Sequence, residues 1–138
     1  MKKQSAFSLM EVMVVIAILG LLASLILPNV LGSADQANRQ KARTDIISLE
    51  NAVAQYRLDN GTFPTTEQGL EALTEEPNID PRPRNYRRGG YIQRLPSDPW
   101  GNEYLLLSPG EFGDFDIFSA GPDGQTGTDD DIGNWNIE

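Results

Sequence analysis

The chain has 138 residues, a formal net charge of −9, no cysteine and no histidine. That suits one small domain plus one apolar helix, and it excludes disulfide staples, thiolate or imidazole metal ligands and a histidine general base. The charge argues against a nucleic-acid partner, since phosphate binding draws on lysine and arginine, and makes a hard cation the natural counterpart.

The first element is Phe7–Leu31, FSLMEVMVVIAILGLLASLILPNVL. At about 1.5 Å per residue a helix of this length crosses the roughly 30 Å hydrocarbon layer of a bilayer, so it reads as a membrane segment. Lys2 and Lys3 precede it, and positive residues tend to stay cytoplasmic, which puts the rest of the chain outside. Glu11 is the anomaly. A lone carboxylate at the bilayer centre costs about 2.5–3.5 kcal/mol and needs a cation. If a peptidase cuts between Ala6 and Phe7, the new α-amino group of Phe7, on the same chain or a neighbour, supplies one. A short basic leader, a break before Phe, Glu five residues into the mature chain and then an apolar helix resemble the class III signal of type IV pilins and pseudopilins. Ala6 stands where that family usually has Gly. The alternative is an ordinary secretory signal peptide, with Gly32-Ser33-Ala34 at its cleavage site, although the run exceeds a typical apolar region and carries Glu11 at its start.

After Pro28 the segment SADQANRQKARTD can continue the helix. Ala42, Ile46, Leu49, Val53 and Tyr56 then recur at steps of three and four, an apolar stripe suited to packing on a sheet. Asn60-Gly61 closes the helix. One helix over Phe7–Asn60 would be about 80 Å long, half membrane anchor and half domain spine. Gly20 and Pro28 weaken the membrane half, where a kink or local melting is expected unless they are simply the glycine and proline common in membrane helices.

Residues 62–103 read as loop with short structured pieces. Thr65–Leu73 forms a short helix opened by a threonine cap, and PNIDPRPRNYRRGG is too rich in Pro and Gly for regular structure. Its Arg82, Arg84, Arg87 and Arg88 read as a solvated face that meets acidic residues of another copy, with a nucleic-acid patch as the alternative. Tyr104–Ser108 and Phe115–Ser119, joined by Pro109–Asp114, make an antiparallel hairpin. A two- or three-stranded sheet covering the helix stripe is expected. Asp114 and Asp116 could in principle act as acid and base, but they lie two apart in a strand with no nucleophile beside them.

From Glu111 to the end the chain carries Glu111, Asp114, Asp116, Asp123, Asp129, Asp130, Asp131 and Glu138 and no lysine or arginine. Within this region Ser119–Trp135, SAGPDGQTGTDDDIGNW, has the parts of a calcium loop: carboxylates, carbonyls and glycines that let the chain curl around an ion. It lacks the spacing of an EF-hand. The competing reading is a solvated acidic loop, which must then offset the repulsion of three adjacent aspartates.

YRLDNGTFPTTEQGLEAL, LPSDPWGNEY and SPGEFGDFDIFSAGPDG…DDIGNW together resemble, in order and over nearly the whole chain, the major pseudopilin family of the type II secretion system, general secretion pathway protein G. The resemblance implies a pilin-like α+β fold: a long N-terminal helix packed on a small antiparallel sheet, with a calcium-binding C-terminal loop. It implies a leader at 1–6, a transmembrane and assembly helix at 7–31 and a periplasmic domain at 32–138. Carried over, the calcium ligands are the side chains of Asp123, Asp130 and Asp131 and the carbonyls of Ala120 and Gln125. It implies cleavage between Ala6 and Phe7 with N-methylation of Phe7 by a prepilin peptidase, and assembly through Glu11. The implied function is that of a structural subunit, not an enzyme. Copies stored in the bacterial inner membrane polymerise into a periplasmic filament that helps export folded proteins, with minor pseudopilins and an inner-membrane assembly platform as partners. The alternatives are a type IV pilin, which commonly closes its C-terminal region with a disulfide, or a membrane-tethered calcium-dependent enzyme or lectin.

Overall fold

A computed structural model describes residues 5–137, without the side chains at 27–29; residues 1–4 of the expected leader lie outside the described residues. The chain divides into two compact units between Ala37 and Asn38. A single helix, α1 (Leu9–Asn60), contributes to both. It is opened by Ser8, whose Oγ accepts the Glu11 N–H at 3.2 Å, and closed by Gly61, whose N–H reaches the Arg57 carbonyl at 2.7 Å. The helix runs unbroken past Gly20 and Pro28, so the local melting expected there is absent. One missing donor at a proline frees a single carbonyl and leaves the rest of the ladder intact.

In the second unit the predicted stripe is the core. Ala42, Ile46, Leu49, Val53 and Tyr56 are all buried, together with Leu70, Leu73, Tyr104, Leu106, Ile117 and Ile132. Burying each large apolar side chain contributes about 1.5–3 kcal/mol. Three short strands meet the helix: β1 (Leu105–Leu107), β2 (Asp116–Ser119) and β3 (Ile132–Gly133), antiparallel in the order β1-β2-β3. The predicted hairpin is β1–β2, with Leu106 opposite Ile117. Side chains alternate across a strand: Leu106 and Ile117 are buried, whereas the flanking Leu105 and Leu107 stay exposed. In the turn between the strands, the N–H groups of Glu111 and Phe112 donate to Asp116 Oδ2 at 2.6 and 3.1 Å.

The short helix expected at Thr65–Leu73 is divided. Thr65 and Gln68 form a capping box, with Gln68 N–H on Thr65 Oγ1 at 3.2 Å and Thr65 N–H on Gln68 Oε1 at 3.0 Å. Gly69 then takes a left-handed φ of 65°, which no right-handed helix can carry through, and only Leu70–Leu73 follows, as a 3-10 turn. The irregular segment beyond it is fastened by side chains. Gln68 Nε2 donates to the carbonyls of Ile79 and Pro81. Tyr86 and Tyr91 pack on Tyr56 with ring centroids 6.3 and 5.4 Å away, and Asn60 Oδ1 accepts the Asn85 N–H at 3.0 Å.

Candidate functional site

The N-terminal site is a strip of exposed apolar side chains. Phe7, Leu9, Met10 and Met13 lead it, and it continues to Ile26 and on through Val30 and Leu31. Phe7 is 80% exposed. The first helical turn explains more of Glu11 than charge alone: Ser8 and Glu11 stand at the N-cap and N3 positions of a capping box, and an acidic group there is favoured by the helix dipole. Its side chain is exposed beside a shallow apolar hollow formed with Phe7, Val12, Val15 and Ile16. Among the described residues no basic group pairs with it. Ala6 and Phe7 are both exposed and lie ahead of the first helical residue.

The acidic loop is closed at its base. Gly121, at a φ of 71°, lies so near Asp130 that an added Cβ would overlap the Asp130 carbonyl, which puts the start of the loop against its aspartate end. Asp123, Asp130 and Asp131 are each engaged separately. Asp123 Oδ1 accepts the Gln125 N–H at 3.0 Å. Asp131 accepts the Gly127 N–H at 2.7 Å and the Thr128 hydroxyl at 3.3 Å. Asp130 faces Arg39 at 4.0 Å. The Gln125 carbonyl accepts from Thr128 Oγ1 at 3.2 Å, and Ala120 is buried at the loop's entry. Among the described residues no three carboxylates gather at one point. The donor set, all oxygen, fits a hard cation chemically; in this structure Asp123 and Asp131 hold their own loop and Asp130 faces α1.

Two carboxylates that sequence reasoning did not single out, or read differently, are structural. Asp98, buried, accepts from the N–H groups of Trp100 and Asn102 at 3.0 and 2.7 Å and from Ser119 Oγ at 2.6 Å, which ties the SDPWGN turn to β2. Asp116 organises the hairpin turn, while Asp114 is exposed 4.0 Å from Arg57, so the two are not an acid–base pair. An aromatic feature was also missed. Phe112 stacks on Trp135 with ring centroids 4.5 Å apart, and Trp135 leans over Phe118 at 5.6 Å. Trp135 can fold back only because position 133 is glycine; a Cβ there would overlap its ring. Phe112 lies just after the SPG motif and Trp135 ends GNW, but nothing in their spacing announces the contact.

Comparison with known proteins gives these features a family. The model described as type II secretion system protein G matches residues 29–135, and the prokaryotic N-terminal methylation motif matches residues 1–27. The chain is 62% identical to the type II secretion system core protein G of Aeromonas hydrophila, covering 99% of this chain and 96% of that protein. It is 60% identical to the protein of the same description from Vibrio cholerae, covering 100% and 96%. A crystal structure of the major pseudopilin from the type 2 secretion system of enterohaemorrhagic Escherichia coli superimposes with a TM-score of 0.75 at 56% identity, covering 78% of this chain and 91% of that one. The resemblance drawn from the three sequence blocks and the expected α+β architecture are both borne out. By sequence and by fold, the chain belongs to the protein G family of the type II secretion system, the major pseudopilins.

Proposed function

We propose that the chain is the repeating subunit of a pseudopilus, stored in the bacterial inner membrane through residues 7–31, with residues 32–138 forming the periplasmic domain. A prepilin peptidase cuts between Ala6 and Phe7 and methylates the new amine. An inner-membrane assembly platform then draws subunits into a homopolymer, joined by minor pseudopilins, whose growth helps folded proteins cross the outer membrane. The role is structural, not catalytic. One observation carries the reading: the apolar side chains of the Phe7–Ile26 strip are all exposed, interrupted by one carboxylate. Such a strip must be covered by lipid or by other copies of itself, and its carboxylate can leave water only with a cation, which the N-terminal amine of an adjacent copy supplies. Repetition of one contact around a helical axis meets both needs. Glu11→Ala should therefore leave a folded, membrane-inserted chain that forms few filaments. Circular dichroism, membrane fractionation and electron microscopy test it, and a normal filament yield would count against the pairing.

The acidic loop supports a second, compatible reading: calcium held by the side chains of Asp123, Asp130 and Asp131 and the carbonyls of Ala120 and Gln125. What favours it is the closed base at Gly121 together with an all-oxygen donor set. The ion would offset the repulsion among the aspartates. For that, Asp130 must turn from Arg39, and Asp131 must release Gly127 or Thr128.

A further inference from the structure

We infer that the outer face of the sheet is a docking groove for the arginine segment 82–88 of a second copy of this chain, an inference that rests on the filament reading above. The groove encloses about 770 Å³. Leu105 and Phe118 line it, and the Phe112–Trp135 stack forms one wall. Phe112 is 63% exposed, so the stack presents an aromatic plate to solvent. Glu111 and Asp129 stand beside it, and among the described residues no lysine or arginine lines the groove. A flat aromatic face edged with carboxylates selects a guanidinium, which stacks on the ring and forks its N–H groups onto the carboxylates; a lysine ammonium can do only the second.

The chain carries the matching group. Arg87 is engaged at home: it pairs with Asp59 at 3.2 Å, donates to Gln55 at 2.8 Å and lies 5.1 Å over Tyr91. Arg82, Arg84 and Arg88 are exposed and have no acidic partner among the described residues. They sit on a stretch without helix or strand that is fastened behind by Gln68, Tyr86 and Asn85. A second acidic hollow, holding Glu67, Glu71, Glu75 and Glu76, has no aromatic side chain in its wall. It offers charge without a stacking surface, which decides for the sheet groove. Arginine segment and groove share no residue, so their meeting joins two different surfaces, and such a contact made head to tail propagates from copy to copy, as the filament reading requires.

The test uses the full-length chain assembled in membranes. Arg82→Glu, Arg84→Glu and Arg88→Glu form one variant; Glu111→Arg and Asp129→Arg form a second; a third carries all five substitutions. Filament yield is counted by electron microscopy, and each variant's Tm is checked to show that it folds. Each partial variant should lose about tenfold in yield, as expected when close charge pairs become like-charged, and the variant with all five substitutions should regain the part that charge carries. Phe112→Ala should lower the yield of the unsubstituted chain and leave that of the five-substitution variant unchanged, because glutamates do not stack on the ring. Normal yield in either partial variant, or no recovery in the combined one, overturns the groove while leaving the filament reading intact. Secretion that falls while filaments form normally would assign the groove to a cationic cargo and also overturn it. If the unsubstituted chain forms no filaments at all, the filament reading fails and the groove falls with it.

Discussion

Asp98 and Asp116 are buried without a basic partner among the described residues, held by N–H and O–H donors alone. Such donors can stabilise a buried carboxylate as a countercharge would, and for that reason neither residue stands out in the sequence as structural. The tyrosines make a titratable counterpart. Burial raises the phenols of Tyr56, Tyr86 and Tyr91, and for Tyr86, which donates to the Ala72 carbonyl at 3.0 Å, the adjacent Tyr91 and Tyr56 add to it, reaching about 12. The unfolded chain deprotonates Tyr86 near its ordinary 10.0, before the folded chain does. Its contribution is therefore whole below pH 10 and is lost as pH rises toward about 12. Alkaline titration followed by phenolate absorbance and circular dichroism should show a fall in stability across that window, and Tyr86→Phe should make the fall shallower; an unchanged profile in the variant would reassign it.

At the scale of elements, legibility followed the physics of each signal. The stripe Ala42–Tyr56 was readable because burial on one helix face imposes a 3.6-residue period, and the hairpin was readable because proline and glycine punctuate its turn. The division of the 65–73 helix was not, since it depends on the left-handed φ at Gly69 in a sequence that otherwise favours helix. The aromatic plate was not, because Phe112 and Trp135 belong to separate turns that meet only once β2 and β3 have paired. The acidic loop is the intermediate case: its donor chemistry is plain in the sequence, while Asp123 and Asp131 are oriented by N–H groups and Asp130 by Arg39, which spacing does not reveal. Calcium should stabilise the full-length chain in detergent by about 2.7 kcal/mol at a hundredfold excess over Kd, and magnesium should substitute poorly because it demands a tighter octahedron. Asp123→Ala should melt alike in calcium and in chelator. Superimposable melts of the unsubstituted chain in calcium, magnesium and chelator would leave the loop as a hydrogen-bonded acidic turn.

For the whole molecule, the exposed Ala6–Phe7 bond leads to a prediction about mass. Intact mass spectrometry of the protein from membranes should give a chain beginning at Phe7 and heavier by one methyl group. A chain beginning at Asp35 would mean an ordinary signal peptide and would sink the pilin reading. The bare apolar strip of α1 has a further consequence for how such a filament is supplied. On the filament reading proposed above, a subunit that falls off cannot diffuse away through water, which refuses the strip, so it returns to a bilayer. The pool that feeds growth is then two-dimensional. On that reading it is counted as copies per area of membrane, and elongation should follow that surface density and not any volume concentration.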